Sequence, residues 1–240
     1  MNILVTGVSR GLGLRIIEVL LKQGFSVYTL SRSNSDKLRK LMAKYPNNIK
    51  WLQYDLANTE NIRKSIFRDW IGVNTKIHGF VNNAAMAYDD IVTNLKYDLL
   101  QKMYVVNVFT PMVLTKYVLR QMLLHNIKGS IVHISSISVH TGYKGLSMYA
   151  STKGALEAFS KNTAREWGAK GIRSNCLVAG FMETDMSSTL SLDQRNRIYK
   201  RTSLKKPVGM NSVSETIRFL LSDESKSITG QNISVDNGTI

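Results

Sequence analysis

Tyr149 and Lys153 stand four residues apart, a spacing that puts both side chains on one face of a helix. A phenol titrates at about 10, too high to exchange protons readily at neutral pH, and a neighbouring ammonium favours phenolate. The pair is therefore expected to lower the tyrosine's pKa and make it a general acid. Ser136, thirteen residues earlier, can hold a carbonyl oxygen while Tyr149 gives it a proton. Asn107 lies among Val105, Val106 and Val108 in a helical pattern, where a polar side chain needs a reason. Either it links through water towards Lys153, or backbone groups in the core satisfy it.

A second constellation, Thr6-Gly7-Val8-Ser9-Arg10-Gly11-Leu12-Gly13, joins an apolar run to an amphipathic one. Glycines there let the backbone turn tightly and approach a pyrophosphate, whose charge a helix N-terminus favours. The spacing is G-x-x-x-G-x-G rather than the common G-x-G-x-x-G. The strand before it and the helix after it favour a dinucleotide site over a plain turn. An acid at the end of the second strand would bond the adenosine ribose of NAD, but Leu30-Ser31-Arg32-Ser33 has none. Arg10 and Arg32 can instead pair with a 2′-phosphate, so NADPH is expected rather than NADH; the alternative is that both are solvated surface charges. Asp55 can accept a hydrogen bond from an adenine amino group, or simply cap the turn that follows it.

These residues need elements to position them. Runs 3–6, 25–30, 49–54, 77–81, 129–134, 172–178 and 231–235 read as strands, separated by helical patterns that include 12–22, 35–44 and 149–170 and stretches near Asp193 and Asn211. Strict alternation predicts an α/β fold: a Rossmann-like, doubly wound parallel sheet of about seven strands with helices on both faces, one domain over 1–240. Its ligands belong at the carboxyl ends of the strands. The charged stretch 187–210 is expected to form a substrate-side helical flap. Composition agrees with a single core: 43% of the 240 residues are hydrophobic and 20% charged, which excludes a disordered basic tail. No apolar run reaches a membrane-spanning length, the N-terminus carries no secretory pattern, and one cysteine allows no internal disulfide, so a cytoplasmic location is expected. His78, His125, His133 and His140 lack paired ligand spacing, so no metal is expected.

Taken together, the glycine loop, Asp55, Asn82-Asn83-Ala84-Ala85, Asn107, Ser136 with Tyr149 and Lys153, and Gly180 to Thr184 resemble the single-domain short-chain dehydrogenase/reductases over nearly the whole chain. The resemblance implies a catalytic tetrad of Asn107, Ser136, Tyr149 and Lys153, with Lys153 also gripping the nicotinamide ribose. It implies a cofactor site built from Gly7, Ser9, Arg10, Gly11, Leu12 and Gly13, then Arg32, Asp55 and Leu56. Asn83 and Ala84 would line that site beside Tyr149 and Lys153, and Gly180, Met182 and Thr184 would close it at the nicotinamide. Ser138, His140, Tyr143, Met148, Met182 and Met186 are the expected substrate contacts. Ala179 to Met186 and the ending Val235-Asp236-Asn237-Gly238 are most similar to 3-oxoacyl-acyl-carrier-protein reductases. An NADPH-dependent ketoreductase of fatty-acid or polyketide type follows as the expectation, usually a homotetramer in such reductases. A free small ketone or sugar is the alternative substrate, and a non-catalytic dinucleotide sensor a remote one.

Three positions depart from the family pattern: Ala85 and Asn237 stand where glycine is usual, and Ala179 where proline is. Ala85 is expected to crowd the cofactor slightly and Ala179 to loosen its loop; together they point to a specialised paralogue. Net charge is +15, from 32 Lys and Arg against 17 Asp and Glu. So basic a chain favours an anionic partner. No nucleic-acid or membrane signature accompanies the charge. Lys128 and Lys170 are instead the expected docking residues for an acidic acyl carrier protein.

Overall fold

The computed structural model describes residues 1–184 and 190–239. Its strands are β1 (Asn2–Thr6), β2 (Ser26–Ser31), β3 (Ile49–Gln53), β4 (Gly79–Asn82), β5 (Ser130–Ser136), β6 (Arg173–Ala179) and β7 (Asn232–Val235). They form one sheet in the order β3-β2-β1-β4-β5-β6-β7, and every pairing is parallel. This is the doubly wound architecture read from the alternation. The strand order reverses between β1 and β4, and in such sheets a crevice opens at that point beyond the strand ends.

The central strands are apolar because both faces are covered. On one face Ile3, Val5, Val132 and Leu177 pack against α1 (Gly11–Lys22) and α7 (Met210–Leu221). On the other, Leu4, Phe80 and Ile131 pack against the π-helical segment Ile62–Ile71 and helix α4 (Thr110–Leu124). Between β2 and β3, Ser35 caps α2 (Asp36–Lys44) by accepting from the Leu38 amide. The long helical region before β5 is three pieces: α3 (Tyr97–Tyr104), a π-helical turn Val105–Phe109, and α4. The expected helix 149–170 is α5 (Ser147–Trp167) closed by a 3-10 turn.

The charged stretch before α7 contains α6 (Leu192–Lys200), opened by a capping box between Ser191 and Gln194. The chain end fastens this flap. Ser203 and Leu204 amides donate to the carbonyls of Gly238 and Asn237, and Thr202 bridges to Thr239. Asn237 turns the chain at φ 58°, a left-handed conformation that asparagine tolerates better than most residues, and its Nδ2 donates to Lys206 O at 2.9 Å. The glycine expected here is replaced by the other residue type that suits the turn. Ala179 does not loosen a loop: it is the buried last residue of β6, paired with Ser136 on one side and Val235 on the other.

Asn237→Ala keeps neither the hydrogen bond nor the tolerance of this turn and is expected to cost about 1–2 kcal/mol in urea unfolding. Asn237→Gly, which relieves the backbone, is expected to cost less than half of that. Equal stability of the alanine variant and the parent would refute the account.

Candidate active site

The glycine loop forms between β1 and α1, with Gly7 at φ 75° and Gly11 at φ 55°. Close packing explains the other demands on glycine. A Cβ on Gly7 would lie 2.8 Å from Ala84 Cα, and one on Gly13 would lie 2.0 Å from Gly7 O. Thr6 is fully buried, and its hydroxyl accepts from the amides of Asn83 (3.1 Å) and Ala84 (3.0 Å). Asn83 Nδ2 donates to the carbonyls of Thr6 and Gly7, so this side chain holds the loop's shape from behind instead of facing a ligand. Sequence reasoning missed the Thr6 hydroxyl, whose only signal was its place at the end of a buried strand.

This end of the fold suits a dinucleotide. Helix α1 begins with no side-chain cap and no acid in its first turn, which leaves its amide dipoles suited to a pyrophosphate. Ser9 lies beside them, its carbonyl accepting from Ser35 Oγ. Leu12 and Leu56 are buried core residues beneath the loop. Arg10 and Arg32 are exposed, as binding a peripheral phosphate requires. Asp55 Oδ1 accepts from the Ala57 amide, the turn-capping alternative. Thr184 lies across from Gly11, where an added Cβ would come within 3.9 Å of it. Gly180 serves packing: a Cβ there would meet Asp236 Cα at 2.6 Å and Val208 Cγ2 at 2.8 Å. Met182 packs against the core beside that loop.

Two elements carry the candidate reacting groups. Ser136 ends β5, Tyr149 lies in the first turn of α5, and Lys153 lies one turn on. Helix α5 lies on β5 and β6. Lys153 is 2% exposed; its Nζ donates to Ile134 O at 2.9 Å and lies 5.6 Å from the centre of the Tyr149 ring. Burial holds the ammonium down at about 8. The expected lowering of the tyrosine is not found. Desolvation, with the Asp89 carboxylate adding to it, pushes the Tyr149 phenol up to about 12 and outweighs the neighbouring ammonium. Beneath them His133 is fully buried, and desolvation with the Lys153 charge takes its imidazole down to about 3, so it is neutral.

Asn107 is fully buried in the π-helical turn. Its Oδ1 accepts from Met86 N (2.9 Å), while Nδ2 donates to Met86 O (2.8 Å) and to Thr152 Oγ1 (3.1 Å). The side chain is thus satisfied by the Met86 backbone and the Thr152 hydroxyl, in line with the core-satisfaction alternative. It still reaches the first turn of α5, because Thr152 Oγ1 donates to the Tyr149 carbonyl at 2.7 Å.

Of the expected substrate contacts, Ser138 is buried and donates from its hydroxyl to Ser136 Oγ at 2.9 Å. Met148 is buried too, at 4% exposure. His140 turns its Nε2 to Glu157 Oε1 at 3.1 Å, so its ring is committed to a carboxylate of α5. Tyr143 lies under the Arg201 guanidinium, 5.0 Å from ring centre to cation, which ties the loop after β5 to the flap. Tyr199 of α6 donates to Glu183 Oε1 at 2.6 Å, anchoring the flap beside Met182 and Thr184. Met186 lies outside the described residues. Lys128 and Lys170 line one surface hollow of about 450 Å³ at the far end of α5.

A family model described as enoyl-(acyl carrier protein) reductase matches residues 7–239. The chain is 32% identical to a 3-oxoacyl-acyl-carrier-protein reductase of Salmonella typhimurium, over 98% of this chain and 95% of that one. It is 31% identical to carbonyl reductase (NADPH) 2 of Sus scrofa, over 98% and 94%. Among solved structures it is similar to a 4-hydroxyisoleucine dehydrogenase complexed with NADH, with a TM-score of 0.92, 28% identity and coverage of 99% and 97%.

The buried ammonium makes a signed prediction about stability. With its pKa lowered from 10.5 to about 8, Lys153 binds its proton less tightly in the folded chain than in the unfolded one. Its penalty is therefore complete below pH 8 and is lifted as pH rises from about 8 to 10.5. Lys153→Met is expected to be more stable than the parent at pH 7, by on the order of 3 kcal/mol at most. Denaturant melts should show that advantage shrinking through pH 8–10.5; an advantage independent of pH would refute it.

Proposed function

The chain belongs to the short-chain dehydrogenase/reductase family, and from that premise we propose that it is an NADPH-dependent ketoreductase acting on a 3-oxoacyl thioester. The observation that carries the reading is the Lys153 ammonium held between the Tyr149 ring and Ile134 O of β5, the strand that Ser136 ends, with a glycine loop fitted to a dinucleotide at the same carboxyl edge of the sheet. The dinucleotide, when bound, supplies the hydride. Ser9, Gly11, Leu12 and the first-turn amides of α1 would hold its pyrophosphate, Asp55 and Leu56 would flank the adenine, and Lys153 would hold the nicotinamide ribose. Ala84, Met182 and Thr184 would border the nicotinamide. Arg10 and Arg32 would pair with the 2′-phosphate, which favours NADPH.

Ser136 donates a hydrogen bond to the substrate carbonyl oxygen and stabilises the charge that grows there. Tyr149, a phenol pushed up to about 12, keeps at neutral pH the proton it must give and passes it to the far more basic alkoxide. Lys153, still mostly an ammonium at neutral pH, offsets the phenolate left behind. Asn107 holds the segment after β4 and, through Thr152, the first turn of α5.

An acidic acyl carrier protein is the proposed partner, docking at Lys128 and Lys170. Those lysines lie at the opposite end of α5 from Tyr149, about 27 Å along the helix axis. In this reading a carrier held there presents its thioester to another subunit of a homotetramer; Phe109 and Leu124, exposed on and beside α4, suit such burial. A second reading, reduction of a free small ketone, is supported by the nearly equal identity to the carbonyl reductase.

Purified protein is expected to oxidise NADPH, seen as absorbance loss, when given an acetoacetyl thioester. Turnover of free ketones alone would overturn the thioester reading. Tyr149→Phe should lower kcat by about 10²–10⁴-fold with NADPH affinity nearly unchanged; retained activity refutes the acid role. Arg32→Asp is expected to shift preference towards NADH, and an unchanged ratio of kcat/KM for the two cofactors argues against the 2′-phosphate pairing.

A further inference from the structure

Among the described residues, one buried carboxylate remains outside the chemistry just described. Glu157 follows Lys153 by one turn of α5 and Tyr149 by two, so all three share a helix face. Its residue is only 7% exposed, and a buried carboxylate persists only where hydrogen bonds compensate it. Glu157 has three such bonds, from three different places. Ser135 Oγ donates to Oε1, His140 Nε2 approaches the same oxygen at 3.1 Å, and Asn232 Nδ2 of β7 donates to Oε2 at 2.7 Å.

Two of these donors bracket one short turn. Ser135 is the residue before Ser136, and His140 closes the 3-10 turn Ile137–Val139 that follows it. Within the turn, Ser136 Oγ accepts from both the amide and the hydroxyl of Ser138. The direction of the Ser136 hydroxyl therefore depends on the shape of the turn, and one carboxylate oxygen of the catalytic helix grips the turn at both ends. An apolar side chain at 157 would fill the space without fixing that relation, since packing alone is not directional.

We propose that Glu157 is a positioning residue that staples the 135–140 turn to α5 and so sets Ser136 against Tyr149 and Lys153. The proposal rests on the reading that Ser136 acts at a substrate carbonyl. A misplacement of about 1 Å at a reacting group can cost on the order of a hundredfold in rate, so the staple matters without touching substrate.

The test combines steady-state kinetics with amide hydrogen exchange on the full chain. The probes are NADPH with acetoacetyl-coenzyme A, or with a free ketone where only that is reduced. Glu157→Leu, which fills the space but leaves Ser135 and His140 no acceptor, is expected to lower kcat more than about tenfold while KM for NADPH stays within about twofold. His140 is 48% exposed at its side chain, so His140→Phe removes one arm of the staple with little risk to folding. It should lower kcat about fivefold, and His140→Gln, which keeps a donor, should restore most of the loss. In Glu157→Leu and His140→Phe, exchange should quicken over 136–146 and stay unchanged over 2–22. If kcat stays within twofold in both variants, or falls with no change in exchange over the turn, the proposal is overturned. If no carbonyl is reduced at all, the functional reading fails, and exchange alone then decides the staple: quickened over the turn it stands, unchanged it falls.

Discussion

A buried ammonium is the constraint on which the half of the fold around α5 depends. Lys153 has almost no contact with solvent, and an unpaired charge in such a place is costly. The Ile134 carbonyl and the face of the Tyr149 ring are the groups it meets, so α5 must lie close along β5 with its first two turns at the strand's carboxyl end. The same desolvation that brings the lysine down to about 8 takes the phenol up to about 12. The two groups are drawn towards their neutral forms by one cause, and what remains of the lysine's charge is close enough to act on the tyrosine. The site thus carries a cost in stability that the rest of the core supports.

Small polar side chains, not long ones, keep the surrounding loops in register with that helix. Thr6 ties the chain after β4 to the end of β1, and Asn83 closes the glycine loop from behind. Asn107 grips Met86 from both sides and meets Thr152, whose hydroxyl bonds the backbone of Tyr149. Glu157 does the same for the turn after β5. Each is at least partly buried, with its bonds running to backbone or to another polar side chain. Networks of this kind are directional where apolar packing is not, and they are rigid because every orphaned group would be costly.

Much of the architecture was legible in the chain. The alternation of short β-rich runs with amphipathic stretches placed all seven strands to within a residue or two, since the two periodicities differ so sharply. The Tyr149–Lys153 spacing and the glycine loop were legible because helix geometry and the steric needs of a tight turn are local properties. What was misread has a common physical origin. A tyrosine's pKa cannot be read from one neighbouring charge, because desolvation by distant parts of the chain opposes it. Between the two readings open for Asn107 the sequence offers no choice, because the backbone groups that it bonds, like those of Asn83, lie more than twenty residues away. The His140 ring also meets a carboxylate of α5, a contact that no local pattern announces.

By itself, then, the sequence determined the fold class, the strand order's raw material, the position of the glycine turn and the presence of a phenol and an amine on one helical face. These follow from periodicity and backbone sterics, which act over a few residues. Only the tertiary structure decided the protonation of those groups, the inward turn of Asn83 and Asn107, the grip of Glu157 on both ends of one turn, and the distance between the basic hollow and the catalytic end of α5. Those are matters of burial and of contacts between segments far apart in the chain, and no local pattern encodes them.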